Sequence, residues 1–168
     1  AEACADADNI CVATNDNANG QVVLSGHLPA INKAVEIASE FGAKRCIKLP
    51  VSAPFHSPLM QPAAEVMQQA LSQVKAANPV VPLISNVAAT AVNDAATIVA
   101  NLVKQVTGSV RWRETVDYLA DQGVTEVAEL GAGKVLSGII NRSKKGIINA
   151  VSVGSPAEIE ELAHQLST

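Results

Sequence analysis

Val124-Thr125-Glu126-Val127-Ala128-Glu129-Leu130-Gly131-Ala132-Gly133-Lys134-Val135-Leu136-Ser137-Gly138-Ile139-Ile140-Asn141, followed a few positions on by Ile147-Ile148-Asn149-Ala150-Val151-Ser152-Val153, is the stretch that decides the fold class. Its opening run, 124–130, is β-prone and stops at a Gly-Ala-Gly turn. A helix over 134–141 follows, and the almost continuous apolar run 147–153 has the composition of a strand buried on both faces. Strand, tight turn, helix and strand in that order predict two parallel strands joined by a covering helix, so the chain reads as α/β.

The same alternation continues outward. Toward the C-terminus, Ser155-Pro156-Ala157-Glu158 sets a capping serine before a helix-starting proline and predicts a last helix reaching Leu166. Upstream, Asn93-Asp94 caps a helix through Gln105, Gly108 breaks it, and another helix over 110–122 ends at Gly123. A short apolar run over 80–87 carries Ser85-Asn86. Before it, Leu59, Ala63, Val66, Met67, Ala70, Leu71 and Val74 share one face of a helix over 59–74.

Near the N-terminus, β-branched runs at 10–13 and 21–25 flank Asn15-Asp16-Asn17-Ala18-Asn19-Gly20, residues that tolerate positive φ, which predicts a hairpin. Ile31, Ala34, Val35, Ala38 and Phe41 give helical spacing over 29–41 with Gly42 as the cap, and alternation over 44–49 predicts one more strand. Strand, strand, helix and strand resemble part of a ferredoxin-like unit. Pro50, Pro54, Pro58 and Pro62 then interrupt the pattern, so 50–58 is a rigid loop without regular structure. The expected division is 1–50 and 51–168, with the loop's side chains aimed by rigid elements on either side.

Composition narrows the class of function. The 168 residues are 48% hydrophobic and 17% charged, enough for a packed core, which excludes a disordered or collagen-like chain. No apolar run approaches the ~20 residues of a membrane span, so a soluble protein is expected. The net charge is −4 and Lys and Arg are scattered, which argues against nucleic-acid binding. The three cysteines, Cys4, Cys11 and Cys46, lie far apart without a Cys-x-x-Cys pair. That pattern fits a reducing compartment such as the cytoplasm and neither a disulfide framework nor a zinc site. The opening Ala1-Glu2-Ala3-Cys4 has neither an initiator Met nor a signal pattern, and predicts a fragment of something longer.

Few residues offer chemistry. His164, beside Glu160 and Glu161, reads as a surface residue, and His27, before Pro29, as a helix-entry or surface residue. His56 stands inside Val51-Ser52-Ala53-Pro54-Phe55-His56-Ser57-Pro58, where prolines on both sides restrict the chain. Two readings fit it: a catalytic or ligand imidazole, and a structural histidine satisfied by backbone carbonyls. No Gly-x-Ser-x-Gly elbow accompanies it, and adjacent Ser57 is badly placed for in-line activation. Cys46 alternates within the expected strand as half-buried packing rather than as a thiolate. Gly131-Ala132-Gly133-Lys134 has the outline of a phosphate loop without its glycine spacing or the hydroxyl that follows the lysine.

Leu49-Pro50-Val51-Ser52-Ala53-Pro54-Phe55-His56-Ser57-Pro58-Leu59-Met60-Gln61-Pro62-Ala63 resembles the histidine motif of the malonyl-CoA:acyl-carrier-protein transacylase family. Further motifs match in order: Asn19 to His27, Gly42-Ala43-Lys44-Arg45, Pro82 to Val87, Gln105 with Val110-Arg111-Trp112, and Glu129 to Gly138. The resemblance covers nearly the whole chain. It implies an α/β-hydrolase-like large subdomain with an inserted ferredoxin-like small subdomain, this chain being the latter part: 1–50 most of the small subdomain, 51–168 the return into the large one. The family's nucleophilic serine, its Gln-rich oxyanion loop and the arginine that pairs with the malonyl carboxylate belong to an earlier segment.

What the resemblance implies is an acyltransferase of fatty acid biosynthesis, free of cofactor and metal. It moves a malonyl group from malonyl-CoA to the phosphopantetheine thiol of acyl carrier protein by a ping-pong acyl-serine mechanism, and this chain alone is inactive without the missing N-terminal part of the same enzyme. By the same resemblance His56 is the general base and Gln105 supplies the backbone carbonyl that orients it. Phe55, Asn86 and Asn17 fall at the substrate pocket, with turn and strand-end capping an equal reading for the two asparagines. Phe55 matches a residue frequent in acyltransferase domains that take malonyl rather than methylmalonyl units. Arg142, Lys144 and Lys145 are candidates for docking the acidic carrier protein, or else a solvated helix end. Two other readings stay open: an acyltransferase domain of a multidomain polyketide or fatty-acid synthase, and a non-catalytic carrier-binding module on this scaffold.

Overall fold

The computed structural model describes residues 1–167; Thr168, the last residue of the expected 51–168 division, lies outside the described residues. The chain forms two compact units, Ala1–Thr115 and the remainder from Val116.

In the first unit β1 (Cys11–Ala18) and β2 (Gln21–Gly26) pair antiparallel, with Ala18 facing Gln21 across Asn19-Gly20. Gly20 has the positive φ of +79° that such a two-residue turn requires. The expected turn over 15–20 is therefore too long, because Asn15, Asp16 and Asn17 are strand residues. Tertiary partners keep them extended. The Asp16 N–H donates to the Val110 carbonyl at 2.9 Å, the Val110 N–H to the Thr14 carbonyl at 2.8 Å, and Arg113 grips the Asp16 carboxylate with Nη2 at 2.7 Å. Register slips on either side leave Asn17 in a bulge near the end of β1.

The first unit's core forms where α1 (Leu28–Ile37) lays Ala30 and Ala34 on Cys4 and Cys11, with Leu24, Ile31 and Ile37 around them. Burial pushes the Cys11 thiol up, which keeps it an apolar packing group. His27 sits at the helix entry and its Nδ1 accepts the Ile10 N–H at 2.8 Å. The helix ends at Ile37, short of the expected 41, and Gly42 closes the turn that follows rather than capping the helix.

Residues 44–49 do not form the expected strand. They are irregular and exposed, Cys46 included, so that cysteine is not half-buried packing. Alternation supplies two faces, but a strand also needs a neighbouring backbone to bond, and none of the described strands pairs with this segment.

A 3-10 turn, Pro58–Met60, leads into α2 (Gln61–Ser72), which packs on α3 (Ala95–Thr107). Ala64 is the buried residue of α2, whereas Val66 and Met67 of the expected apolar face are exposed. Between the two helices, the apolar run contributes only the short antiparallel pair β3 (Leu83–Ile84) and β4 (Ala91–Val92). Asp94 caps α3 by accepting the Thr97 N–H at 2.8 Å.

The division between the units falls within α4 (Trp112–Asp121). In the second unit β5 (Glu126–Leu130), α5 (Val135–Ser143) and β6 (Asn149–Val153) form the parallel crossover unit expected from the opening stretch, in register from Glu126↔Asn149 to Leu130↔Val153. Val116, Ile139, Ile140, Ile148, Ala150 and Val153 are buried here. The expectation of a strand covered on both faces does not hold, since Val151 of β6 is 40% exposed. The Asn141 side chain bonds both main-chain groups of Ala150, at 2.8 and 3.0 Å, and so blocks the far edge of β6 as a third strand would. α6 (Pro156–Leu166) starts at Ser155 with the capping box of Ser155 and Glu158. The architecture is mixed α/β, and among the described residues no helix is long and apolar enough to cross a membrane.

Candidate active site

The proline-rich loop presents His56 with a backbone φ of +59°, a left-handed conformation that costs an L-residue about 1–2 kcal/mol. Its neighbours enforce it. Ser57, fully buried, donates its hydroxyl to the Pro54 carbonyl at 2.6 Å and closes the loop on itself. Pro58 requires the extended backbone that Ser57 shows. The imidazole that emerges is partly buried, with Nδ1 2.9 Å from the backbone carbonyl of Gln105.

A carbonyl only accepts, so Nδ1 carries the proton in this contact and Nε2 presents its lone pair. The Gln105 side-chain nitrogen also lies 3.2 Å from Nδ1, but two N–H donors cannot share one bond, and that amide has an acceptor of its own in the Gly108 carbonyl at 3.2 Å. Gln105 stands in the last turn of α3, where main-chain carbonyls lie beyond the intrahelical ladder and are open to an outside donor. The partial negative charge of this helix end faces the ring.

The chain just after Gln105 joins three segments of the first unit. The Gly108 backbone lies so close to Val87 that a Cβ there would stand 3.0 Å from Val87 Cγ1. The Arg111 N–H donates to the Asn86 carbonyl at 3.0 Å, and its Nη1 donates to the Val87 and Ala88 carbonyls, each at 3.2 Å. Its other guanidinium nitrogens clasp Glu114, whose carboxyl these hydrogen bonds hold below the usual carboxylate range. Val110 and Arg113 meanwhile hold β1 at Thr14 and Asp16, just before Asn17.

The expected site residues are thus placed unequally. His56 and Gln105 are in direct contact. Asn86 is tied to the 105–113 segment by its own carbonyl and Asn17 through its neighbours, and no hydrogen bond joins either side chain to His56 among the described residues. Phe55 is 47% exposed beside His56. In the second unit, Lys144 is held by Asp117 at 2.6 Å, while Arg142 and Lys145 are exposed.

The sequence reading gave Arg111 no role of its own. Its i,i+3 spacing to Glu114 at a helix start was the available signal. Asp16 and Arg113, far apart in sequence, offered none. The weak phosphate-loop outline is disposed of by Glu129, whose carboxylate takes the Leu136 and Ser137 N–H groups at 3.1 and 2.8 Å and the Ser137 hydroxyl at 2.7 Å. The α5 N-terminus that would receive an anion already has one. No group of three or more His, Cys, Asp or Glu able to hold a metal occurs among the described residues.

No protein-family model matches the chain. The malonyl CoA-acyl carrier protein transacylase of Bacillus subtilis is 40% identical over 152 residues, 90% of this chain and 48% of its own length. The crystal structure of an acyl-carrier-protein-S-malonyltransferase from Bartonella henselae superposes with a TM-score of 0.87 at 49% identity, covering 95% of this chain and 50% of that one. The malonyl CoA-acyl carrier protein transacylase of Coxiella burnetii gives a TM-score of 0.90 at 34% identity, over 99% of this chain and 52% of that one. The chain spans about half the length of these relatives. In sequence and in backbone, over nearly all its residues, the chain is similar to the malonyl CoA-acyl carrier protein transacylases, of which it spans about half the length.

Proposed function

We propose that this chain supplies the histidine base of an enzyme that transfers a malonyl group from malonyl-CoA to the phosphopantetheine thiol of acyl carrier protein. The observation that carries the reading is the 2.9 Å contact between His56 Nδ1 and the Gln105 carbonyl, which leaves Nε2 its lone pair on a ring carried by a strained, proline-braced loop. A serine hydroxyl, supplied by the part of the enzyme to which this chain joins, gives its proton to Nε2 as its oxygen attacks the thioester carbon. The CoA sulfur leaves with that proton. The carrier's thiol then gives its proton to Nε2 and attacks the ester carbon, and the serine oxygen takes the proton back as it departs. A base used in this way contributes ~10²–10⁴ in rate.

The relatives also support an organisation in which 1–50 belongs to a ferredoxin-like small subdomain and 51–168 to an α/β-hydrolase-like large one. Asn86 and Asn17 border the substrate pocket in this reading, Arg142 and Lys145 meet the carrier, and a cytoplasmic enzyme is implied. Phe55 narrows the space beside His56 and favours an unbranched malonyl unit. The same residue supports a second reading, an acyltransferase domain of a multidomain synthase, which flanking sequence distinguishes. The direct test is a transfer assay on the full-length protein with labelled malonyl-CoA. Label arriving on the carrier's phosphopantetheine thiol is expected; label released only to water, or left on CoA, overturns the reading.

A further inference from the structure

Gln105 offers His56 a main-chain carbonyl, but its side chain has a separate job that the reaction as described does not use. A carbonyl in the last turn of a helix is free to turn toward solvent as that turn frays. Here the turn is fastened twice. The Gly108 N–H closes on the Lys104 carbonyl at 2.8 Å, and the Gln105 amide reaches forward to the Gly108 carbonyl at 3.2 Å. The second bond spans the very residues across which the Gln105 peptide plane would have to rotate to lose His56. Gly108 is in turn set against Val87, so the brace is anchored to a third segment rather than to a free end.

From this geometry we infer that the Gln105 side chain is a positioning residue, an amide brace that fixes the orientation of its own carbonyl and thereby the Nδ1–H tautomer of His56. This deepens the reading given above, since the tautomer matters because Nε2 must be the proton acceptor. It also explains why an amide stands where an apolar residue would complete the helix equally well: a chain of donor and acceptor, His56 Nδ1–H to the Gln105 carbonyl and Gln105 Nε2–H to the Gly108 carbonyl, passes through one residue. The amide nitrogen, 3.2 Å from Nδ1, would itself favour the wrong tautomer if it left Gly108, by donating to an unprotonated Nδ1.

The test uses the full-length protein, labelled with nitrogen-15 at histidine, carrying Gln105→Ala or Gln105→Met. Alanine protects helix folding, and methionine keeps the side chain's length without a donor. In the unsubstituted chain the His56 ring nitrogens are expected to report the Nδ1–H tautomer, with an Nδ1 proton that exchanges slowly. Both variants should mix the tautomers and speed that exchange about tenfold or more, while the other amide signals stay in place. If methionine preserves the wild-type ring signature, the side chain merely fills space and the brace is wrong. The same holds if alanine preserves it. The ring signals do not depend on turnover, so this outcome stands apart from a failure of the malonyl-transfer reading, which the labelled malonyl-CoA assay on the full-length protein detects separately.

Discussion

His56 illustrates how much of a site is decided by backbone before any side chain acts. Its φ of +59° costs free energy, and the Ser57 hydroxyl on the Pro54 carbonyl, with a proline on either side, holds the loop in it. Sequence alone left two readings, an imidazole that does chemistry and one satisfied by carbonyls. The contact with Gln105 shows that the second is not an alternative to the first, since a carbonyl at Nδ1 is also what frees Nε2. Close approach decides a different residue. Gly26 lies opposite Cys11 in the hairpin, and a Cβ there would stand 2.0 Å from the Ile10 carbonyl oxygen and 2.9 Å from Cys11 Cα, both rigid backbone. Gly26→Ala is therefore expected to destabilise the first unit by at least ~1–3 kcal/mol in urea unfolding. Gly20→Ala faces open space and bears only the cost of its positive φ, about 1–2 kcal/mol. A Gly26 variant as stable as the parent would mean that the strands separate at no cost.

Among the elements, those legible in the sequence carry their own signals. The Asp94 cap, the Ser155 capping box and the β5–α5–β6 order were visible because each rests on residues a few positions apart. The expected strand at 44–49 failed for the opposite reason, since its existence depends on a partner that local alternation does not reveal. Asn15 to Asn17 were misplaced into a turn because Val110 and Arg113, distant in sequence, hold them in β1. Glu129 joins two elements of the second unit and makes their union sensitive to acid. The Ser137 hydroxyl and the N–H groups at the start of α5 hold its carboxyl below the usual carboxylate range, so the folded state binds this proton less readily than the unfolded chain. The stabilisation is complete above the unfolded value and disappears as pH falls through the lower, folded one. Hydrogen exchange should show the Leu136 and Ser137 amides protected at neutral pH and losing protection on acidification through that range, with Glu129→Gln flattening the dependence. Protection of those amides that is indifferent to acid would contradict the cap.

At the scale of the whole molecule, exposed apolar side chains occur in both units, among them Phe41, Ile47 and Val81 in the first and Leu130 and Val135 in the second. Their number accords with a chain that spans about half of its relatives. The surface charge makes a more specific point. Lys144 is engaged by Asp117, which leaves Arg142 and Lys145 as the cations of the 142–145 cluster for the proposed docking of an acidic carrier. In the full-length protein, Arg142→Glu with Lys145→Glu is expected to raise the KM for carrier protein about tenfold, more at low ionic strength, and to leave the KM for malonyl-CoA unchanged. Equal effects on both substrates would remove the docking role. Whether one imidazole moves the protons of both half-reactions is decided by single-turnover acylation of the full-length protein carrying His56→Ala. The variant is expected to bind malonyl-CoA as tightly as the parent but to form malonyl-enzyme at a rate lower by ~10²–10⁴. Acylation at the parental rate would contradict it.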